Sequence, residues 1–537
     1  MTRSLAQLRM PCALAAVALA ASLFACSRKS ASREPPPLGK PVALGNASDL
    51  RLSPDGRFAA YLLDARKPNL EGLPPQVQLG ELWLAPLEGG EPNRVGEGVV
   101  NTPGACVFSP SSRWLVYLAR YNVAAREGEL WAADLGDPKS APRRVAGAVS
   151  YVLPSPDSKY VAFVDDGKLD VAPLEGGEPV TVASDVSSAT FSPDSSFLLV
   201  QQRATAGEGL LFAPVGKWDP KRKLADAVGD VAVSPDSKHL AFSQRSRKLP
   251  GTFDLLHAEV SDLQVKVIAE GVSTGAPFSG ASFAFSPDSK YLARTEGGRP
   301  EKRGSLYVGP AAGGPGRKLA DKVYRFEFAA DSSALAFLYD YSDNKGPGQG
   351  HGKMGVAALP DGALKPLGER VPNFEWGADG RYVAFVSRFF KPIYSVDLML
   401  YRMGDEAAKK VQEGVYGYEF SAKNAYLLMR THCIRDGRSC ELYGLDLSKA
   451  DQVPKKILDG VFSFKAAAEP NRVVATYARI DVQLYDAMVV NIATGQHRTV
   501  DTRVQLPVLL AADDGSKVAY IVGEKRRAGV YLATGVP

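Results

Sequence analysis

At 537 residues with 45% hydrophobic side chains, the chain is too long for one ordinary domain and apolar enough for packed cores. Its net charge of +5, not massed on any one element, argues against a nucleic-acid binder. The 51 Gly and 38 Pro, without a long polar tract, point to many tight turns rather than disorder.

Residues 1–25 place Arg3 and Arg9 ahead of an apolar run from Pro11 to Phe24, with Ala25 before Cys26, the order of an export signal. No second apolar run approaches the roughly 18 residues a membrane helix needs. Leu23-Phe24-Ala25-Cys26 resembles a bacterial lipobox, although Phe24 stands where a small residue is usual. The resemblance implies acylation of Cys26; an ordinary signal peptide cut nearby is the alternative. Ser27 is compatible with transfer to the outer membrane, and residues 26–39 read as a polar, Pro-containing tether. Loss of Arg3 and Arg9 leaves a mature charge near +3. The expected location is the periplasmic side of the outer membrane, or the cell surface, with the lipid as the only membrane contact.

Related segments then recur in chain order. They are LRLSPDGRFAAYLL (50–63), CVFSPSSRWLVYLA (106–119), VLPSPDSKYVAFVD (152–165), ATFSPDSSFLLVQQ (189–202), VAVSPDSKHLAFSQ (231–244), FAFSPDSKYLARTE (283–296) and FEFAADSSALAFLY (326–339). Weaker copies follow: FEWGADGRYVAFVS (374–387), YEFSAKNAYLLMRT (418–431), FKAAAEPNRVVATY (464–477) and LLAADDGSKVAYIV (509–522). Apolar residues alternate on both sides of each turn, the period of a strand. Ser-Pro-Asp-Gly is a turn sequence, because Pro presets the first central residue, Asp accepts local hydrogen bonds and Gly eases the exit. A third strand such as LWLAPLEGGE (82–91) and a short fourth such as RRVAG complete each unit. Four short antiparallel strands at this spacing predict an all-β fold, a β-propeller of about eleven four-stranded blades.

FSPDG-x-x-LAF followed by LYV-x-x-L-x-GG resembles the TolB-like propeller repeat, a relative of the WD-type repeat, across nearly all of residues 40–533. The chain opens on KPVALGNAS (40–48), a fourth strand, and ends after GVYLATG (529–535), a third. Pairing these termini would close the ring and leave no open edge. Eleven units exceed the usual four to eight blades, so two rings are expected, 40–275 and 276–537, with the break near 271–282; one large ring is the alternative.

Cys433 and Cys440 bracket a short hairpin loop and are expected to form a disulfide in an oxidising compartment. A zinc reading would add His432 but leaves the metal one ligand short, so no metal or cofactor is expected. Cys106, on a first strand, reads as a buried filler. Gly271-Val272-Ser273-Thr274-Gly275 matches a hydrolase motif by letters, but it lies between strands rather than before a helix. Asp340, Ser342 and Asn344 begin like a calcium loop, yet Lys345 and His351 stand where glycine and glutamate are needed. TolB-like repeats sometimes cap a serine peptidase; no α/β region follows them here. No catalytic constellation is identified, and the chain is not expected to be an enzyme.

Nine residues past each turn aspartate the repeats carry Asp64, Arg120, Asp166, Arg203, Arg245, Gly297, Asp340, Arg388, His432, Arg479 and Gly523. Because hairpins alternate ends, these residues share the face opposite the Ser-Pro-Asp turns. Arg120, Arg203, Arg245, Arg388, Arg479 and His432 form a candidate binding face, unless they are simply the polar rim of strands leaving a sheet. The expected function is that of a lipid-anchored envelope binding or scaffold protein that offers this face to a protein partner or an anionic glycan. The alternative is a hydrolase or lyase with its site in the central funnel. Clustered carboxylates or histidines at the funnel would favour the enzyme, and bulky apolar and Arg side chains the binder.

Overall fold

The computed structural model describes residues 38–534, apart from 75, 204–208, 219–221, 273–281, 299–302, 343–349, 391–394, 422, 424, 435–436, 468–470, 479–483, 511–515 and 525. The export signal, Cys26 and most of the tether lie outside the described residues. No helix among the described residues is long and apolar enough to cross a membrane.

Among the described residues, eleven antiparallel blades of four strands follow one another. Blade 1 is typical, with strands Ala47–Leu52, Phe58–Arg66, Leu79–Pro86 and Asn93–Val100 paired in that order. At three junctions the fourth strand of one blade runs on into the first strand of the next: Arg143–Pro154, Lys409–Phe420 and His497–Leu510. Val149, Val415 and Val504 each pair on both sides there, which is why three sheets have seven strands. The eleventh blade takes its outermost strand from the other end of the chain: Gly39–Leu44 pairs with Gly529–Thr534, as the unmatched termini predict.

Second strands are apolar on both faces because both are covered. Val161 and Phe163 pack with blade 2, and Ala162 with blade 4, all fully buried. Burial of each such large side chain is worth about 1.5–3 kcal/mol. Small residues on the fourth strand of one blade make room for large ones on the next. Gly96 underlies Tyr117 and Gly368 underlies Phe385, at distances where a Cβ would collide at 2.7 and 2.8 Å.

The two expected rings are replaced by one continuous circuit of packing. At the expected break, Ala241, Leu255, Ala269 and Val272 of blade 5 share a buried cluster with Phe283 and Leu292 of blade 6. The last blade closes on the first through Ile521 and Val530 against Ala47 and Tyr61, and through Ala519 and Leu532 against Ala59 and Leu87. Covering both faces of every second strand, including those of blades 1, 5, 6 and 11, is what this circuit achieves.

Candidate functional site

The turns form one face, and their sequence explains their structure. In Ser-Pro-Asp followed by Ser or Gly the first serine is buried; its hydroxyl donates to the aspartate two residues on (2.6–2.7 Å in five blades) and accepts the amide five residues on. Partial burial alone would raise these aspartates. The serine hydroxyl and the local amide outweigh it, holding Asp55, Asp157, Asp194 and Asp236 below the ordinary range and Asp288 down to about 2. The basic residue that follows pairs with the same aspartate, as in Lys290–Asp288 at 3.0 Å and Lys159–Asp157 at 3.5 Å. In five of the described turns the acid (Asp55, Asp157, Asp236, Asp288 or Asp379) is thus paired with a neighbouring base.

On the opposite face the column nine residues past the turn has a backbone cause. Asp64, Arg120, Asp166, Asp340 and His432 all adopt φ between 46° and 51°, and Gly297 adopts 69°. Asp and Gly recur there because the second strand must leave through the left-handed region. Arg120 is exposed and faces Glu97 (3.3 Å) and Glu129 (3.4 Å); His432 Nδ1 lies 2.9 Å from Glu441. Arg203 and Arg245 are exposed and outside the left-handed region. Arg388 sits in the strand Tyr382–Phe390 with its side chain outside the described residues, as is the whole of Arg479. Cys433 and Cys440 are joined by a disulfide across the hairpin of blade 9. Cys106 is buried between blades 1 and 2, where burial pushes its thiol up to about 12. Ser273 and Asn344 lie outside the described residues, and Asp340 pairs with Lys353 at 3.0 Å.

Apolar exposure distinguishes the faces more sharply than charge. Of the ten large apolar side chains exposed among the described residues, Leu70 and Leu249 stand in the loops between second and third strands, and Ile434 ends the second strand of blade 9 where such a loop begins. Leu44, Tyr151, Tyr416 and Leu506 lie toward the same end of their strands. Only Val180, Val267 and Val453 lie toward the turns. The long-loop face also carries Arg303 over the stacked rings of Tyr324 and Tyr341, at 4.6 and 5.1 Å from their centroids.

The first strands form the inner edge of the blades, and there three successive blades repeat a carboxylate: Glu327, Glu375 and Glu419, the central residues of FEF, FEW and YEF. Arg325 pairs with Glu327 at 2.7 Å and Lys465 with Glu419 at 2.5 Å. Burial, then the charges of Glu419 and Glu327, raise the carboxyl of Glu375 against the opposing Phe420 amide and Lys465. The recurring letters were visible in the repeats; that the charges of Glu327 and Glu419 reach Glu375 depends on blades 7, 8 and 9 being neighbours. No group of His, Cys, Asp or Glu among the described residues is arranged to hold a metal ion.

No family model and no curated protein sequence matches the chain. Among solved structures it is similar to a eukaryotic initiation factor (13% identity, 70% of this chain, 94% of that one, TM-score 0.41). It is also similar to an oligogalacturonate lyase in complex with manganese (10%, 72% and 97%, 0.31). A third such structure is the tricorn protease (10%, 86% and 58%, 0.30).

Proposed function

We propose that this chain is a binding protein of the bacterial cell envelope, tethered through an acylated Cys26, whose propeller presents its long-loop face to a protein partner. The observation that carries this reading is the gathering of exposed Leu70, Leu249, Tyr416, Ile434 and Leu506 toward one face. They recur on the same face of blades 1, 5, 9 and 11, beside exposed charge, so a partner that covers them spans much of the ring. Arg203 and Arg245 supply the charged border and would set the rate and selectivity of docking rather than its strength. Ion pairing of Arg120 with Glu97 and Glu129 weakens the case for an anionic glycan, whose capture depends on unneutralised base. A pull-down from envelope extract with the mature domain tests the reading. Leu249→Ser with Ile434→Ser should abolish recovery of the native partner, and Arg203→Glu with Arg245→Glu should slow it. Equal recovery by all variants contradicts it.

The row Glu327, Glu375 and Glu419 favours a second reading, a funnel hydrolase or lyase in which Glu375 serves as the proton donor. Loss of a polysaccharide- or peptide-degrading activity on Glu375→Gln, with folding intact, would establish it; absence of activity in the parent protein removes it.

A further inference from the structure

On the turn face, basic side chains converge at the junction of blades 8 and 9. There a cleft of about 370 Å³ is lined by Arg381, Arg402, Lys409 and Lys449 around a single carboxylate, Asp405. The volume lies at the lower end of small-ligand sites. Three of the four cations have partners at the rim: Arg381 with Asp379, Lys449 with Asp446 at 3.5 Å, and Lys409 with Asp405 at 3.7 Å. Arg402 has no acidic partner among the described residues, so the cleft carries one uncompensated guanidinium. The rim pairs are solvent-exposed and screened by water, so an incoming anion can recruit Arg381 and Lys449 at little cost.

The floor is rigid. Buried Tyr382 of blade 8 donates its hydroxyl to the Leu447 carbonyl of blade 9 at 3.1 Å. The Asp405 carbonyl accepts from Lys365 and, at 3.2 Å, from the Tyr401 hydroxyl. Connections from two blades are thereby fixed around the opening before any ligand arrives.

We propose that this cleft binds a ligand bearing a terminal phosphate dianion, with Arg402 as the forked donor and Arg381, Lys409 and Lys449 supplying the surrounding charge. A guanidinium matches phosphate with two parallel N–H donors, and a doubly charged group is what several convergent cations discriminate from a lone carboxylate. The site lies on the face away from the proposed protein partner, so both can be occupied together.

Titration calorimetry on the mature domain, with glucose 6-phosphate as a soluble probe and phosphatidylcholine vesicles containing phosphatidate as a lipid probe, tests this. Saturable binding of at least one probe is expected, weakened about ten-fold by Arg402→Ala, partly restored by Arg402→Lys and unchanged by Arg94→Ala outside the cleft. Binding confined to the vesicles assigns the phosphate to a lipid headgroup, and binding confined to the sugar phosphate to a soluble ligand. Failure of both probes, or equal binding by Arg402→Ala with an unchanged melting temperature, overturns the proposal.

Discussion

The backbone amide of Asp157 donates to the hydroxyl of Ser195 at 2.9 Å, across the boundary between the third and fourth blades. The same bond links Asp55 to Ser112, Asp194 to Ser237, Asp236 to Ser289 and Asp288 to Ser332. Each of these serines holds φ near 60°, a conformation glycine adopts freely and serine does not. Where blade 8 follows blade 7 the residue is Gly380, and a Cβ there would meet the Asp331 carboxylate at 2.6 Å. Serine therefore accepts backbone strain in exchange for a contact to the next blade.

That balance predicts an inverted ranking at Ser195. Ser195→Ala keeps the strain and loses the bond, costing about 1 kcal/mol. Ser195→Gly loses the bond but removes strain worth about 1–2 kcal/mol, and should be the more stable variant. Urea melts of the two proteins compare them directly; an alanine variant equal to or above glycine contradicts the role given to this position.

Acid sensitivity follows from the turn aspartates. Their carboxyls are lowered in the folded state, so the stability they contribute is fully present above the unfolded value near 4. It is lost as pH falls through the folded values, down to about 2 for Asp288. Thermal melts between pH 5 and pH 2 should show a steep loss at the acid end, shallower in Asp288→Asn. An identical acid slope in the variant rejects the assignment.

The joint between blades 10 and 11 also rests on a buried charge. Asp501 is fully buried and accepts from Arg527 at 2.7 and 2.9 Å and from the Tyr520 hydroxyl at 3.0 Å. Asp501→Ala strands a guanidinium and should cost about 3 kcal/mol, the low end for such pairs because Arg527 stays partly exposed. Asp501→Ala with Arg527→Leu should recover part of that loss in urea unfolding.

The pairing of Ala43 with Val530 predicts that Ala43→Cys with Val530→Cys forms a cross-link. Joining the two ends constrains nearly the whole unfolded chain, so the unfolding midpoint should rise on oxidation and fall back on reduction. A pair that stays reduced, with wild-type stability, contradicts closure by the terminal strands.

The blades and their closure were legible in sequence because each turn is written in local chemistry: Ser53, Asp55 and Gly56 specify a hairpin without reference to the rest of the chain. How the blades group was not, since Ala241 and Phe283 show nothing in sequence of their shared cluster. The arginine column was legible as a column, but φ near 48° at Arg120 and His432 gives part of it a conformational cause that letters do not carry. Exposure of Leu249 and Ile434 was hidden for a related reason: an apolar letter in a loop or at a strand end does not say whether a neighbouring blade covers it.

The most direct measurement is site-specific photocrosslinking in the living envelope. A photoreactive side chain at Leu249 or Ile434, on the long-loop face, should give a discrete adduct with one partner protein, and at Val180 or Val267, toward the turns, none. Adducts from Val180 and Val267 alone, or equal labelling at all four positions, would contradict a long-loop binding face.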